Sequence, residues 1–349
     1  MKIKRVLISG NEAIAEGAIQ AGCNFYAGYP ITPQNELIAY MSRYMPSSGG
    51  VFIQAESELA AINMVYGAAA CGCRAMTSSS SPGVSLKQEG ISYMSGARLP
   101  AVVVNIMRGG PGLGNIAPAQ SDYFQATRGG GHGDYRVIVL APAGAQEAYD
   151  LTKTGFRLAD KYRIVVMILG DGVLGQMMEP VKFLAGKGKV SVKKPWALTG
   201  CKGRKPNIVK SFFLREGDLE KFNLKLQKDY EAIRREEQRY EGLFLDDARV
   251  ILVAYGTMSR IAKSALTRLR SSGKKIGLIR PVSLWPFPDK AFKKIGRKVK
   301  YLTVEMSYGQ MLEDVKLAVN GSAQVEFLGR AGGGIPGEDE IIDKIGRLI

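Results

Sequence analysis

Cysteine is scarce in this sequence: Cys23, Cys71, Cys73 and Cys201 are the only four in 349 residues. They are too few and too scattered for a disulfide scaffold. No CxxC pair occurs, and Cys71-Gly-Cys73 is too tightly spaced for iron–sulfur ligation, so all four read as reduced structural residues. Histidine is scarcer still. His132 stands alone in GGGHGD, which excludes sites built from several histidines, and without a nucleophile elbow it makes no Ser-His-Asp triad. No apolar run approaches the roughly 20 residues that cross a bilayer, and MKIKRVLISGNEA lacks the apolar core and cleavage site of a signal peptide. The expected location is the cytoplasm, with no membrane contact.

Acidic residues are outnumbered, 32 against 48 Lys and Arg, for a formal charge of +16. Such an excess governs association rather than fold. No RNP-like aromatic pattern or zinc finger accompanies it, so no nucleic acid partner is expected. Half of the excess lies between Lys182 and Phe244, where 16 basic residues meet 8 acidic ones. Two readings fit this stretch: a solvated basic face, or a docking surface for an acidic protein.

Core material is present in ordinary proportion. A hydrophobic share of 46% and a charged share of 23% are those of a folded globule, and the length exceeds one usual core, so two domains are expected. Short apolar runs alternate with helical patterns: KRVLISG then NEAIAEGAIQAG, NFYAGYP then PQNELIAYMSRYM, VFIQA then ESELAAINMVYGAAACG, and onward through RAMTSSSS, PAVVVNIMRG, YRVIVLAPAG and RIVVMILGD. This alternation predicts an α/β fold with a parallel sheet covered on both faces. Ligands of such sheets bind beyond the carboxyl ends of the strands, which places candidate sites at GYPITP, QAESE, SSSSPG and MRGGPGLGN. The pattern breaks near residue 182. The expected division is an α/β domain over 1–182, a basic connecting arm over 183–245, and a smaller α/β domain over 246–349. The arm contains one amphipathic helix, with an apolar period through Leu219, Phe222, Leu226, Tyr230 and Ile233.

Glu56 and Glu58 flank Ser57 where a strand yields to a helix that Ser57 can cap. A carboxylate in a first turn is favoured by the helix dipole and needs no function; a buried one could instead hold a proton for a heteroaromatic ring. Arg108 opens the glycine-rich loop. It is either a surface residue or a fork for a small carboxylate or phosphate. The glycines make no dinucleotide fingerprint, because Asn115 stands where GxGxxG needs its last glycine and no helix starts at once. Thr32 lies between Pro30 and Pro33, which fix the loop, and either caps the next helix or faces a substrate. Ser78 to Gly83 either line a polar pocket or form a plain polar loop. GDG at 170–172 looks like the start of a diphosphate-metal motif. No asparagine follows at the required distance, and Asn207 is isolated in the arm, so no metal site is expected in this chain.

In this order GNEAIAEGAIQAG, GYPITPQNE, QAESELAAINMVYGAA, RAMTSSSSPGVSLKQEGISYM, MRGGPGLGNIAPAQSDYFQATRGGGHGDYR and GDGVLGQMMEPV resemble the alpha subunit of the 2-oxoacid:ferredoxin oxidoreductases. The resemblance covers nearly the whole chain and is closest to the 3-methyl-2-oxobutanoate (2-oxoisovalerate) type. It implies a thiamine-diphosphate-binding-type pyrimidine domain followed by a transketolase C-terminal-like domain. It implies that Glu58, by its spacing to Gly67, is the glutamate that hydrogen-bonds the aminopyrimidine ring. Thr32 matches the substrate-side threonine and Arg108 the arginine that binds the 2-oxoacid carboxylate; Pro30, Ile31 and Ser80 are expected to contact the cofactor.

The implied reaction is oxidative decarboxylation of a branched-chain 2-oxoacid with coenzyme A to acyl-CoA, carbon dioxide and reduced ferredoxin. Because the cluster cysteines and the diphosphate metal motif are missing, thiamine diphosphate would be shared with a beta subunit. Mg2+ and iron–sulfur clusters would sit in partner subunits, which include a gamma subunit and a ferredoxin-like delta subunit, with ferredoxin as acceptor. The alternatives are the same reaction on 2-oxoglutarate or pyruvate, and a non-catalytic scaffold or ferredoxin-docking subunit.

Overall fold

The computed structural model describes residues 3–184, 192–293, 295 and 299–349. The chain begins with β1 (Ile3–Ser9) and passes without a loop into α1 (Gly10–Gln20). Ser9 Oγ accepts the Glu12 N–H while the Glu12 carboxylate accepts the Ser9 N–H, a reciprocal cap that starts the helix at the next residue. Then come β2 (Phe25–Gly28), α2 (Asn35–Tyr44), β3 (Val51–Gln54), α3 (Glu58–Ala70), β4 (Ala75–Ser79), α4 (Ser81–Gly96), β5 (Ala101–Met107), α5 (Tyr123–Arg128), β6 (Ile138–Leu140), α6 (Ala145–Tyr162) and β7 (Val165–Asp171).

Six of these strands pair in parallel in the order β6-β7-β5-β4-β2-β3. β4, β5, β6 and β7 are buried at every residue, as near-continuous apolar runs require when helices cover both faces. β1 lies outside this sheet. After the short α7 (Gly172–Gln176), β8 (Met178–Leu184) pairs antiparallel with β1 in a separate two-stranded ribbon. KRVLISG therefore does not supply the first parallel strand. Leu7 is 60% exposed beside a buried Ile8, so the run alternates, and an alternating strand suits a ribbon with one covered side.

The arm carries α8 (Asp218–Glu236), which buries Leu226, Tyr230 and Ile233 and leaves Leu219 exposed at its start. An Arg98–Asp229 ion pair ties it to the end of α4. Next come β9 (Tyr240–Leu243), β10 (Val250–Val253), α9 (Gly256–Ser271), β11 (Ile276–Pro281), β12 (Ser283–Trp285), α10 (Lys290–Lys293), β13 (Lys300–Glu305), α11 (Gln310–Val319), β14 (Val325–Gly329) and α12 (Glu338–Gly346). The second sheet runs β14-β13-β10-β11-β9. Its edge strand β9 falls inside the span assigned to the arm, and β12 crosses back to pair antiparallel with β6 at the edge of the first sheet. KKIGLIRPVSLWPF thus divides between two sheets after Pro281, whose missing N–H cannot continue a ladder.

The two sheets are joined by buried polar contacts. Gln120 donates to the Tyr255 carbonyl and accepts the Met306 N–H, both at 3.0 Å. Tyr123 donates to Asp314 at 2.5 Å. These contacts fix the long connection that follows β5, and Asn115 in that connection reaches the Gly332 carbonyl at 3.0 Å. The segment after Arg108 is therefore braced from the second domain.

Candidate active site

The carboxyl ends of β2, β3, β4 and β5 are neighbours in the sheet, and each delivers one candidate. Ser57 is extended, and its hydroxyl accepts the Ala60 N–H at 3.1 Å, which makes Glu58 the first residue of α3. Glu58 is buried and Glu56 is exposed. Ser79 Oγ donates to Glu58 Oε1 at 3.2 Å. Among the described residues no donor reaches Oε2. A Cβ on Gly83 would stand 2.3 Å from Glu58 Oε1 and 2.1 Å from Ser79 Oγ, so the first turn of α4 can pass this carboxylate only as glycine. One turn further along α4, Lys87 is fully buried and donates to Thr77 Oγ1 at 3.0 Å. Its ammonium also reaches the Glu58 carbonyl at 3.5 Å. Burial pushes its pKa down to about 8, opposed by the negative charge of Glu58.

Arg108 and Thr32 are brought together. The Arg108 guanidinium donates from Nη1 to the Thr32 carbonyl and from Nη2 to the Leu113 carbonyl, each at 3.0 Å. It is 7% exposed, and its Nε has no partner. The surface reading of Arg108 is thereby removed. The Thr32 hydroxyl accepts from Asn35 Nδ2 at 3.2 Å and caps no backbone; Gln34 occupies the cap position. Ser81 Oγ accepts the Arg108 N–H at 3.0 Å and donates to Asp122 at 2.6 Å. Asn105 adds a bond to the same carboxylate at 2.9 Å, while burial raises the Asp122 pKa. α4 therefore links the two groups, with Gly83 against Glu58 and Ser81 against Arg108.

SSSSPG is not a loop. Ser78 and Ser79 end β4, Ser80 precedes α4, and Ser81 begins it. The hydroxyl of Ser80 is buried without a partner. Tyr26 donates to Ser78 at 2.5 Å, Ser78 donates to Gln34 at 2.6 Å, and Gln34 donates to the Tyr29 carbonyl at 3.3 Å. This chain holds the segment in which Pro30 is exposed and Ile31 half-buried. Asp171 of the GDG run is a cap: its Oδ1 accepts the Val173 and Leu174 N–H groups and the Thr257 hydroxyl. Among the described residues no group of three or more His, Cys, Asp or Glu could hold a metal.

Gln34, Lys87, Asn105 and Asp122 are structural members of the site that the motifs do not single out. Lys87 carries a usable signal, since Gly83 and Lys87 stand four residues apart on one helix face. Asp122 carries none, being separated from Ser81 by 41 residues of chain. Cavities of about 620 and 570 Å³ lie elsewhere, one between α8 and the residues around Tyr135, the other between Glu147 and Lys263.

Comparison with known proteins defines the family. Residues 16–240 match the thiamine diphosphate-binding model of pyruvate flavodoxin/ferredoxin oxidoreductases, and residues 248–341 match core domain II of pyruvate:ferredoxin oxidoreductase. The chain is 52% identical to a ketoisovalerate oxidoreductase subunit of Methanothermobacter marburgensis, over 97% of this chain and 96% of that one. It is 40% identical to a 2-oxoglutarate synthase subunit of Archaeoglobus fulgidus, over 89% and 90%. Among solved structures it matches the 2-oxoglutarate:ferredoxin oxidoreductase from Magnetococcus marinus, with 2-oxoglutarate, coenzyme A and succinyl-CoA bound, at a TM-score of 0.87 and 26% identity. That match covers 98% of this chain and 65% of the other. A split-gene transketolase shares the fold at a TM-score of 0.59 and 12% identity. The chain belongs to the pyruvate flavodoxin/ferredoxin oxidoreductase family, with the thiamine diphosphate-binding part of that family in its first α/β unit.

Proposed function

We propose that this chain is the alpha subunit of a 2-oxoacid:ferredoxin oxidoreductase and supplies the aminopyrimidine side of a shared thiamine diphosphate site. Its substrate in this reading is 3-methyl-2-oxobutanoate, which the likeness to a ketoisovalerate oxidoreductase subunit supports. The observation that carries the proposal is the Glu58 corner: a buried carboxylate at a strand end, with one oxygen on Ser79 and the other open. The unpartnered Ser80 Oγ and Arg108 Nε are what a site awaiting a ring and a small anion requires.

Thiamine diphosphate, when bound, supplies the electron sink for cleavage of the bond between C1 and C2 of the 2-oxoacid. Glu58 holds a proton through Oε2 at the aminopyrimidine ring. Arg108 orients the substrate carboxylate through its unpartnered Nε edge, with Thr32 and Ile31 beside it, and Pro30 and Ser80 line the cofactor side. In the overall balance C1 leaves as carbon dioxide, two electrons pass singly to two ferredoxins, and the acyl group goes to the coenzyme A sulfur as its thiol proton is released. The beta subunit would hold the diphosphate and Mg2+, while gamma and ferredoxin-like delta subunits would complete the complex and carry clusters.

Turnover of the purified complex with 3-methyl-2-oxobutanoate, 2-oxoglutarate and pyruvate, using coenzyme A and a viologen dye, tests this reading. The branched substrate is expected to give the highest kcat/KM. Glu58→Gln is expected to assemble normally and lose about a hundredfold or more in kcat. Full activity of that variant overturns the role of Glu58, and a preference for 2-oxoglutarate moves the substrate.

A further inference from the structure

Three arginines from separate elements meet at one cleft that the proposed reaction does not use. Arg128 closes α5, Arg136 stands two residues ahead of β6, and Arg234 lies in the last turn of α8. All three line the cavity of about 620 Å³ beside α8, and all three also line a second cavity of about 330 Å³ that Trp285 and Phe287 wall on its apolar side. Gathered cations repel one another unless an anion lies between them. The chain supplies little of that charge. Arg128 has carboxylate partners, Asp314 at 2.9 Å and Glu313 at 3.8 Å, but Asp314 is already shared with the Tyr123 hydroxyl. Among the described residues no carboxylate comes within ion-pair distance of Arg136 or Arg234. Arg136 is half-buried and donates to the Thr127 carbonyl at 3.3 Å, while the Arg234 guanidinium donates to no described residue. The other wall carboxylates do not fill the gap: Asp289 is held by Lys293 at 2.5 Å and by Gln238 at 2.6 Å, and Asp134 and Glu220 are exposed and pair with none of the three arginines.

We propose that Arg128, Arg136 and Arg234 bind the phosphate groups of a small organic phosphate whose carbon portion lies along Trp285 and Phe287. Guanidinium groups grip phosphate oxygens through paired N–H bonds, and a point charge does so less selectively. Cavities of several hundred cubic ångströms with an apolar wall and a few convergent polar groups are the usual form of small-molecule sites. None of the three arginines belongs to the Glu58 or Arg108 groups, so the inference stands apart from the reading of those residues.

Calorimetric titration of the purified complex at low ionic strength tests this with two probes, ADP and inorganic pyrophosphate. Thiamine diphosphate, Mg2+ and coenzyme A are kept saturating, so that sites for those molecules are already filled. ADP is expected to bind wild type, and the double variant Arg136→Gln/Arg234→Gln to weaken it about tenfold or more through lost charged hydrogen bonds. Arg234→Gln alone changes an exposed side chain, is expected to fold as wild type, and should still weaken ADP about threefold or more. Pyrophosphate is expected to bind less tightly than ADP, since it shares the phosphates and lacks a group for the apolar wall. Equal affinity for the two probes would remove the organic part of the assignment. No binding of either probe by wild type, or the same affinity in wild type and both variants, overturns the proposal. So does loss of a subunit from Arg234→Gln on gel filtration, because the arginines would then hold acidic side chains of another protein.

Discussion

Arg108 has both terminal nitrogens on backbone carbonyls, Thr32 on one side and Leu113 on the other. A lysine carries a single point charge on a flexible stem and cannot bridge two carbonyls while presenting a third donor edge. Arg108→Lys is therefore expected to raise KM for the 2-oxoacid by about tenfold to a hundredfold, as loss of a charged hydrogen bond worth about 1.5–3 kcal/mol requires. Steady-state kinetics on the assembled complex checks this. Lys87 adds a pH-dependent term to stability. Its folded pKa is lowered from 10.5 to about 8, so the unfolded chain binds this proton more tightly. The penalty is fully present below pH 8 and is relieved as the pH rises from about 8 to 10.5. It amounts to about 3 kcal/mol. Lys87→Met is expected to raise Tm at pH 7, with the gain shrinking above pH 8 and gone near 10.5, as thermal melts across that range would register.

At the scale of elements, α3 and α4 approach so closely that Gly83 and Gly90 have no room for a methyl group, the latter facing Ile62 at 2.6 Å. Gly83→Ala is expected to leave the fold intact by circular dichroism and to lower kcat about a hundredfold, because Glu58 or Ser79 must move about an ångström. A wild-type kcat in that variant would show that Glu58 placement is not critical. The element pattern was legible wherever both faces of a strand are buried, as in β4, β5 and β7. It misled at β1, where three apolar residues in a row hid an alternating exposure, and at SSSSPG, where serine and proline suggested a loop but form a strand end and a first helical turn. Ser57 followed by a hydrophobic helix marked the position of Glu58, yet its burial against an exposed Glu56 depends on α4. The bond from Arg108 to a carbonyl 76 residues away leaves no trace in local sequence, since any residue offers a carbonyl. Asp122 and Gln34 enter the site in the same way, through tertiary packing.

Across the whole molecule, catalytic candidates gather at one set of strand ends while the charge excess gathers in the arm, with 16 basic residues against 8 acidic between Lys182 and Phe244. Within the described part of that stretch Ile208, Phe212 and Leu214 are 80%, 71% and 86% exposed. A merely solvated basic face has no reason to expose large apolar side chains together, whereas a docking surface for an acidic protein combines both. Attraction between exposed charges is screened within about 10 Å at 0.1 M salt. The KM for ferredoxin is therefore expected to rise steeply between about 0.05 and 0.5 M salt, while turnover with a cationic viologen dye changes little. Charge reversal at Lys202, Arg204 and Lys205 should reproduce the salt effect at low ionic strength and spare dye-linked turnover, because the Glu58 and Arg108 groups are untouched. Equal loss with both acceptors would place the effect in the active site or in assembly, and the arm would then be a solvated face.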